Sequence, residues 1–349
     1  MNKIQIGTRW VGNDLPVFVI AEAGVNHNGD IKLAEKLIRE SKKCGADCVK
    51  FQSFKADRVV SLDAPKAQYQ LQTTDPRETQ YEMLRKLELK ENDYSKLISV
   101  CRDENVLFLS TPYNSEDVDF LYALDVPAYK IASGQLIELP FLEYVAKKGK
   151  PVIISTGMGT LDEVKTAVET IRNTGNNQIV ILQCTTHYPS CIEDANLRAM
   201  STMREACRAL VGYSDHTSGD LSAIAAVALG ACIIEKHFTL DKDLEGPDQS
   251  CSANPEEFMR LVKNIRFVEQ SLGSSQKYPT KLESVNARMM RRSIFAKQAI
   301  PAGAILSLEN ISFKRPAIGI LGTQSGCVFG KRAKHNISEN TLITMDLIE

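Results

Sequence analysis

Short apolar runs alternate with amphipathic stretches from Val17 to Leu272, the pattern of parallel β/α units rather than of a sandwich. The runs predict eight strands: Val17 to Gly24, Cys48 to Gln52, Val106 to Thr111, Ala128 to Ser133, Pro151 to Thr156, Ile179 to Thr185, Leu210 to His216 and Cys232 to Thr239. Eight such units predict an α/β fold closed into a (β/α)8 TIM barrel. Between the strands, Asp30 is placed to cap a helix with the apolar face Ala34, Leu37, Ile38 and Ser41, ended by Gly45. Asn254, Pro255 and Glu257 supply the cap, first-turn proline and N3 acid of the last barrel helix, ahead of Phe258, Leu261, Val262, Ile265 and Val268. Lys55 to Arg77 reads as a long loop after the second strand.

A polar, irregular stretch from Gly273 to Asn286 breaks the alternation, and beyond Arg291 the chain turns to short extended pieces rich in Ile and Gly. The expected organisation is a barrel over residues 1–272, a linker over 273–290 and a small β-rich domain over 291–349. That last segment carries an internal echo. Ala299 to Ile311 aligns without gaps on Asn336 to Ile348, with Gly303 opposite Asn340 at a turn suited to positive φ.

A chain of 349 residues suits a barrel of roughly 250 residues plus a compact second unit. Lys plus Arg number 42 against 43 Asp plus Glu, so a general attraction to nucleic acid or to an anionic membrane is not expected, and substrate charge must be handled locally. The nine cysteines are scattered and the sequence shows neither a signal peptide nor a long apolar segment, which predicts a cytoplasmic protein with reduced thiols. Cys44 and Cys48 straddle a helix end and a strand start, a poor arrangement for zinc.

In a barrel of this kind, the carboxyl ends of the strands and the loops after them build the active site. Those ends are polar almost throughout: Glu22, Lys50 and Gln52, Ser110 and Thr111, Lys130 and Ser133, Ser155 and Thr156, Thr185 with Tyr188, Ser214 and His216, Glu235 with His237. Two of the five histidines, His216 and His237, end successive strands, where a pair of imidazoles can hold a divalent metal. Lysines inside apolar strands are costly to bury unless something negative meets them. With the neighbouring hydroxyls, Lys50 and Lys130 predict a cradle for phosphate and carboxylate together. Glu22 is open to two roles, a general base for water or the structural partner of Lys50 or Lys130.

The ordered set Ala21 to Gly29, Val49-Lys-Phe-Gln52, Leu109-Ser-Thr-Pro112, Tyr129 to Gly134, Ile154 to Met158, Gly212-Tyr-Ser-Asp-His216, Ile234 to Thr239, Gly246-Pro-Asp248 and Phe313-Lys-Arg-Pro316 resembles the sialic acid synthase family. These are the phosphoenolpyruvate-condensing N-acetylneuraminate synthases with a C-terminal antifreeze-like (SAF) domain. The resemblance implies condensation of phosphoenolpyruvate with N-acetylmannosamine and water, giving N-acetylneuraminate and phosphate. It implies a divalent metal on His216 and His237, manganese first, with magnesium or cobalt as alternatives. It also implies that Lys50, Thr111, Lys130, Ser133, Ser155 and Ser214 bind phosphoenolpyruvate, that Gln52, Tyr188, Asp248 and Arg315 hold the N-acetylated amino sugar, that Glu22 assists the attacking water, and that Glu235 neighbours the metal. In a domain-swapped homodimer Arg315 would complete the partner's site.

Three departures bear on the acceptor: Gln135 stands where the family commonly has glutamate, Ala317-Ile318-Gly319 follows Arg315-Pro316 where Gly-Asn-Gly is common, and Gln249 follows Asp248 where histidine is frequent. Legionaminic acid synthases, which take a diacetamido dideoxy hexose on the same scaffold, are the nearest alternative, and pseudaminic acid synthases a further one. From a different class, a metal-dependent pyruvate aldolase could use Lys50 or Lys130 as a Schiff-base lysine. A carbohydrate-binding module on a degenerate barrel is the non-enzymatic alternative.

Overall fold

The computed structural model describes residues Lys3–Glu349. An antiparallel hairpin, β1 (Lys3–Ile6) and β2 (Arg9–Gly12), comes first. Eight parallel strands follow: β3 (Phe18–Gly24), β4 (Cys48–Ser53), β5 (Leu107–Pro112), β6 (Tyr129–Ile131), β7 (Val152–Ser155), β8 (Ile179–Cys184), β9 (Leu210–Asp215) and β10 (Ile233–His237). They are hydrogen-bonded in the order β5-β4-β3-β10-β9-β8-β7-β6, a nearly closed barrel wrapped by helices. The seam falls between β5 and the three-residue β6, which share no regular ladder.

The barrel has two apolar layers. Side chains facing the helices, such as Val19, Val49, Phe51, Ile131 and Ile154, pack on Leu37, Leu97, Leu121, Val168 and Phe258. Inside the barrel, Phe18, Ile20, Leu109, Ile153, Val180, Leu182 and Ile233 form a second cluster that also contains Ile4, Ile6 and Val11 of the hairpin. The hairpin thus fills the interior at the amino ends of the strands. Its alternation over four residues is too short to stand out in a sequence, and Gly7 (φ +56°) makes its turn. With that end filled, open space remains at the carboxyl ends.

Helix punctuation follows the expected chemistry. Asp30 accepts from the Lys32 amide at 2.7 Å, the helix Ile31–Lys43 buries Ala34, Leu37, Ile38 and Ser41, and Gly45 lies beyond it at φ +91°. Asn254 and Glu257 form a reciprocal capping box at the start of the helix Pro255–Leu272. The segment after β4 is more ordered than a loop, with helical turns Ala56–Val59 and Gln70–Gln72 and a capped helix Gln80–Lys86. None of the helices among the described residues is long and apolar enough to cross a membrane.

A second compact unit spans Ser274–Glu349. The stretch read as an irregular linker contains the helix Lys281–Met290, capped by Thr280 and Glu283, with no side chain buried. Leu282, Val285 and Met289 stand at helical spacing on one face, although all three are exposed, and together with the capping box they were the available signal. Strands β11 (Ser293–Ala296) and β12 (Ile311–Lys314) pair antiparallel. The internal echo is present in three dimensions. Ile300 and Ile337 exchange both backbone hydrogen bonds at 2.8 Å. Leu306 and Ile343, and Ile311 and Ile348, share one core with them, and Gly303 and Asn340 both take positive φ.

His27 sits in the turn after β3, buried, its Nδ1 accepting from the Gly29 amide at 3.0 Å. Burial, only partly offset by Asp30 and the Gly24 carbonyl, lowers its pKa to about 4. An imidazole at about 4 in the fold and near 6.5 in the unfolded chain lets the unfolded state bind the extra proton between those values. Stability is therefore expected to fall by up to about 3 kcal/mol as pH drops from 6.5 towards 4. Thermal melts across that window should show the decline, and His27→Gln should flatten it.

Candidate active site

At the carboxyl ends of the strands lies a cavity of about 510 Å³. The thirteen barrel residues expected to act on metal or substrate line it: Glu22, Lys50, Gln52, Thr111, Lys130, Ser133, Ser155, Tyr188, Ser214, His216, Glu235, His237 and Asp248; the polar strand-end residues Ser110, Thr156 and Thr185 do not. Arg315 belongs to the second unit, where it is exposed and its Nε donates to the Met290 carbonyl at 3.0 Å.

Parallel register explains the convergence. Glu22 pairs with Lys50 across β3 and β4, Glu235 with Ser214 across β10 and β9, and His237 with Glu22 across β10 and β3. Side chains on one strand at alternate positions share a face, so these groups meet inside the barrel mouth. Lys50 Nζ lies 2.6 Å from Glu22 Oε2, 3.1 Å from Thr111 Oγ1 and 3.7 Å from Glu235 Oε2. Lys130 Nζ lies 3.0 Å from Glu235 Oε1, which also accepts from Ser214 Oγ at 2.9 Å.

The two carboxyl groups are driven apart. Burial raises the pKa of Glu22, an effect that Lys50 opposes and Glu235 reinforces. Burial alone would raise Glu235 too, but Lys130 and Lys50 outweigh it and hold that carboxyl below the usual carboxylate range. Lys50, although desolvated, is raised by Glu22 and Glu235 and so stays charged. Glu22 is further held by Gln52 Nε2, which donates to its Oε1 at 3.2 Å, and Gln52 Oε1 in turn accepts from Tyr113 OH. The structural and the catalytic readings of Glu22 are therefore compatible.

The histidine rings stand 5.3 Å apart, centroid to centroid. His216 Nδ1 donates to the Thr185 carbonyl at 2.7 Å, which leaves Nε2 as the nitrogen a ligand can meet. Burial, with the charges of His216 and Lys50, holds His237 well below its ordinary pKa and hence neutral. Its buried Nδ1 has no hydrogen-bond partner, and Asp248 Oδ2 is 3.9 Å away. Burial would lower the pKa of His216, but Cys184, the Thr185 carbonyl and Glu235 outweigh that and raise it. A metal would therefore have to displace the ring's proton to take its Nε2. With the unpartnered Nδ1 of the neutral His237, such a pair suits a divalent ion, and a carboxylate stands close by. Among the described residues no three His, Cys, Asp or Glu side chains converge as a ready ligand set, so an ion held here would draw its other ligands from water or substrate.

Several groups in the cavity escaped the sequence reading. Tyr69, from the segment after β4, packs on Tyr188 at 5.1 Å and approaches Asp248 Oδ1 at 3.5 Å, while Tyr188 covers His216 at 4.2 Å. Cys184 lies 3.8 Å from His216 Nδ1 and 3.6 Å from Ser133 Oγ. Nothing in local periodicity marks either residue. Gln249 does not face the cavity. Its carboxamide is buried between the Asn26 carbonyl, 2.9 Å away, and Thr239 Oγ1, which fastens the Asp248 loop to the turn after β3.

Ser155 Oγ is buried without a partner and free to donate to a ligand. Ser133 Oγ accepts from the Gly157 amide at 3.0 Å, and a Cβ at Gly157 would stand 2.1 Å from Thr186 Oγ1 and 2.9 Å from Ser133 Oγ. Gly157→Ala should displace Ser133 and raise the KM for the anionic substrate about tenfold with little change in Tm, measurable by steady-state kinetics and melting.

Comparison with known proteins matches this chain to the NeuB family over residues 37–277 and to the SAF domain over residues 291–349. The chain belongs to the NeuB family. It is 43% identical over 352 residues to the N,N'-diacetyllegionaminic acid synthase of Legionella pneumophila, covering 100% of this chain and 99% of that one. It is 39% identical over 307 residues to the N-acetylneuraminate-9-phosphate synthase of Mus musculus, covering 88% and 85%. Among solved structures, the N-acetylneuraminic acid synthetase of Leptospira borgpetersenii matches with a TM-score of 0.73 and 31% identity over 82% of this chain and 95% of that one. The NeuB match covers β4 to β10 of the barrel that carries the cavity, beginning after β3 and Glu22, and the SAF match covers the β-rich core with its internal echo.

Proposed function

We propose that this NeuB-family chain condenses phosphoenolpyruvate with the open-chain aldehyde of an N-acetylated amino sugar. A carbon–carbon bond forms between C3 of the enol phosphate and the aldehyde carbon. Water adds at C2, and the C2–O bond then breaks to release phosphate, leaving a 2-keto sugar acid. The observation that carries this reading is the pair of buried lysines, Lys50 and Lys130, set among the Thr111, Ser155 and Ser214 hydroxyls in one cavity with two imidazoles.

Lys50 and Lys130 would hold phosphate and carboxylate, with Thr111, Ser133, Ser155 and Ser214 donating to the remaining oxygens. Because Glu22 and Glu235 already balance the two ammonium groups, a multiply charged enol phosphate needs further positive charge nearby. His216 and His237 are placed to supply it by holding a divalent cation, with manganese the first candidate. When bound, such an ion polarises the aldehyde carbonyl. Glu22, fixed by Lys50 and Gln52, is positioned to take the proton of the attacking water. Gln52, Tyr188 and Asp248 would orient the sugar, and Arg315 would act on the site of a second copy in a homodimer.

The sequence alone favoured N-acetylmannosamine as acceptor; two observations now favour a diacetamido deoxy sugar. The legionaminic acid synthase is the more similar of the two named relatives. Gln135 Nε2 donates to the Tyr113 carbonyl at 3.0 Å, leaving Oε1 buried in the cavity wall without a partner, a neutral acceptor for an amide N–H. A pyruvate aldolase is disfavoured, because a Schiff-base lysine must be deprotonated and both lysines are held in buried ion pairs. The test is phosphate release measured side by side with N-acetylmannosamine and with the diacetamido acceptors of legionaminic and pseudaminic type. Strict dependence on phosphoenolpyruvate is expected; borohydride trapping of the chain with pyruvate would overturn the reading.

A further inference from the structure

We infer that the cavity has a second, apolar pole, and that Val59, Met83 and Leu84 there select acceptors whose far end carries methyl groups instead of hydroxyls; this rests on the function proposed above. Val25, Phe54, Val59, Met83 and Leu84 belong to an apolar cluster separate from both barrel layers, and all five also line the cavity. All but Val25 come from β4's exit and the segment that follows it. The anion-binding groups come instead from the strands themselves, so one cavity has chemically opposite ends. Gln52 and Tyr113, hydrogen-bonded to each other at 3.2 Å, also line it.

The apolar wall is held firmly. The buried Lys66 ammonium is gripped by Thr74 Oγ1 at 2.8 Å, the Asp75 carbonyl at 2.5 Å and Glu78 Oε1 at 2.9 Å. Glu88 receives both the Ala56 amide, at 2.8 Å, and Lys55 Nζ, at 3.2 Å. Thr79 and Glu82 form a capping box at the start of the helix that carries Met83 and Leu84. Of the glutamines on this wall, Gln70 uses its carboxamide oxygen on the Ala67 amide, and Gln80 is the polar exception. A hydroxyl laid against Val59, Met83 and Leu84 meets no polar atom of those side chains, whereas a methyl replaces water there. An acceptor whose aldehyde reaches the lysine end can turn its distal carbons towards this wall, which lines the same cavity. A 6-deoxy carbon and the methyl of a second acetamido group fit it, and a free 6-hydroxymethyl does not. One such group against an apolar wall changes kcat/KM by about 10- to 100-fold.

The full-length protein supplied with manganese is assayed for phosphate release with N-acetylmannosamine and with a diacetamido 6-deoxy hexose, as wild type and as Leu84→Asn, Met83→Thr and Met83→Leu. Leu84→Asn and Met83→Thr should lower kcat/KM for the deoxy acceptor at least about tenfold, mainly through KM, while the KM for phosphoenolpyruvate stays put and Met83→Leu resembles wild type. Equal losses with both acceptors would overturn the inference while leaving the condensing activity intact. A substrate-side measurement needs no variant: wild type should prefer 6-deoxy-N-acetylmannosamine to N-acetylmannosamine, and the reverse order overturns the inference. Absence of phosphoenolpyruvate-dependent phosphate release from wild type with every sugar overturns the underlying reading and the inference with it.

Discussion

Lys50→Met is expected to destabilise the barrel by about 3 to 5 kcal/mol and to abolish measurable turnover. Lys50 is the only ammonium within 4 Å of Glu22 among the described residues, and it also faces Glu235. Removing it leaves two carboxyl groups facing each other in a buried site, so one must take up a proton or draw in water. The same change removes half of the cationic cradle, so kcat/KM should fall by at least about 1,000-fold even where the protein remains folded. Denaturant unfolding and phosphate-release kinetics on the same preparation separate the two effects. Lys50→Arg, which keeps the charge but cannot match the ammonium's compact contacts, should recover much of the stability and little of the turnover.

His237→Ala should separate the fold from the proposed metal site. His237 lies at the end of β10 with its Nδ1 unpartnered, so the native structure loses only packing against Tyr188 and His216. Stability is expected to change by about 1 kcal/mol or less, because no buried hydrogen bond is broken. Manganese affinity, read by electron paramagnetic resonance of the free ion, should fall more than about 100-fold, and turnover with it. The Thr185 carbonyl makes His216 the more firmly oriented of the two rings. His216→Ala should therefore cost both metal affinity and some stability, since that carbonyl loses its donor.

Strand positions were legible because each barrel strand is a short apolar run ending in a polar residue, a signal that survives without knowledge of neighbours. Observed bounds fall within a residue or two of the expected ones for all eight barrel strands, β3 to β10. The register was not legible, yet it is register that sets Glu22 beside Lys50 and Glu235 beside Ser214. The convergence of these groups was legible from residue types at strand ends, because parallel strands carry such ends to one rim. Cys184 ends β8 two places beyond the inward-facing Leu182, in a run too uniformly apolar to reveal which alternate positions face inward, whereas Tyr69, Gly157 and the apolar wall were missed for the opposite reason. Their place depends on how the long excursion after β4 folds back and on close approaches between backbone and side chain, neither of which leaves a periodic trace. The amino-terminal hairpin was overlooked because two four-residue strands carry little signal, although their role in filling the barrel is plain once Ile4, Ile6 and Val11 are seen among its interior residues. Gln249, by contrast, was noticed as a departure from the family pattern and proves to brace a loop rather than to face the cavity.

The central claim is that this cavity makes the sugar acid by water attack at C2 of an enol phosphate gripped by Lys50 and Lys130. Phosphoenolpyruvate labelled with 18O at the bridging oxygen, turned over with the preferred acceptor and read by the isotope shift in 31P NMR, tests it directly. The label should leave in inorganic phosphate, because the C2–O bond breaks. Label retained in the sugar acid, with phosphate carrying solvent oxygen instead, would contradict it.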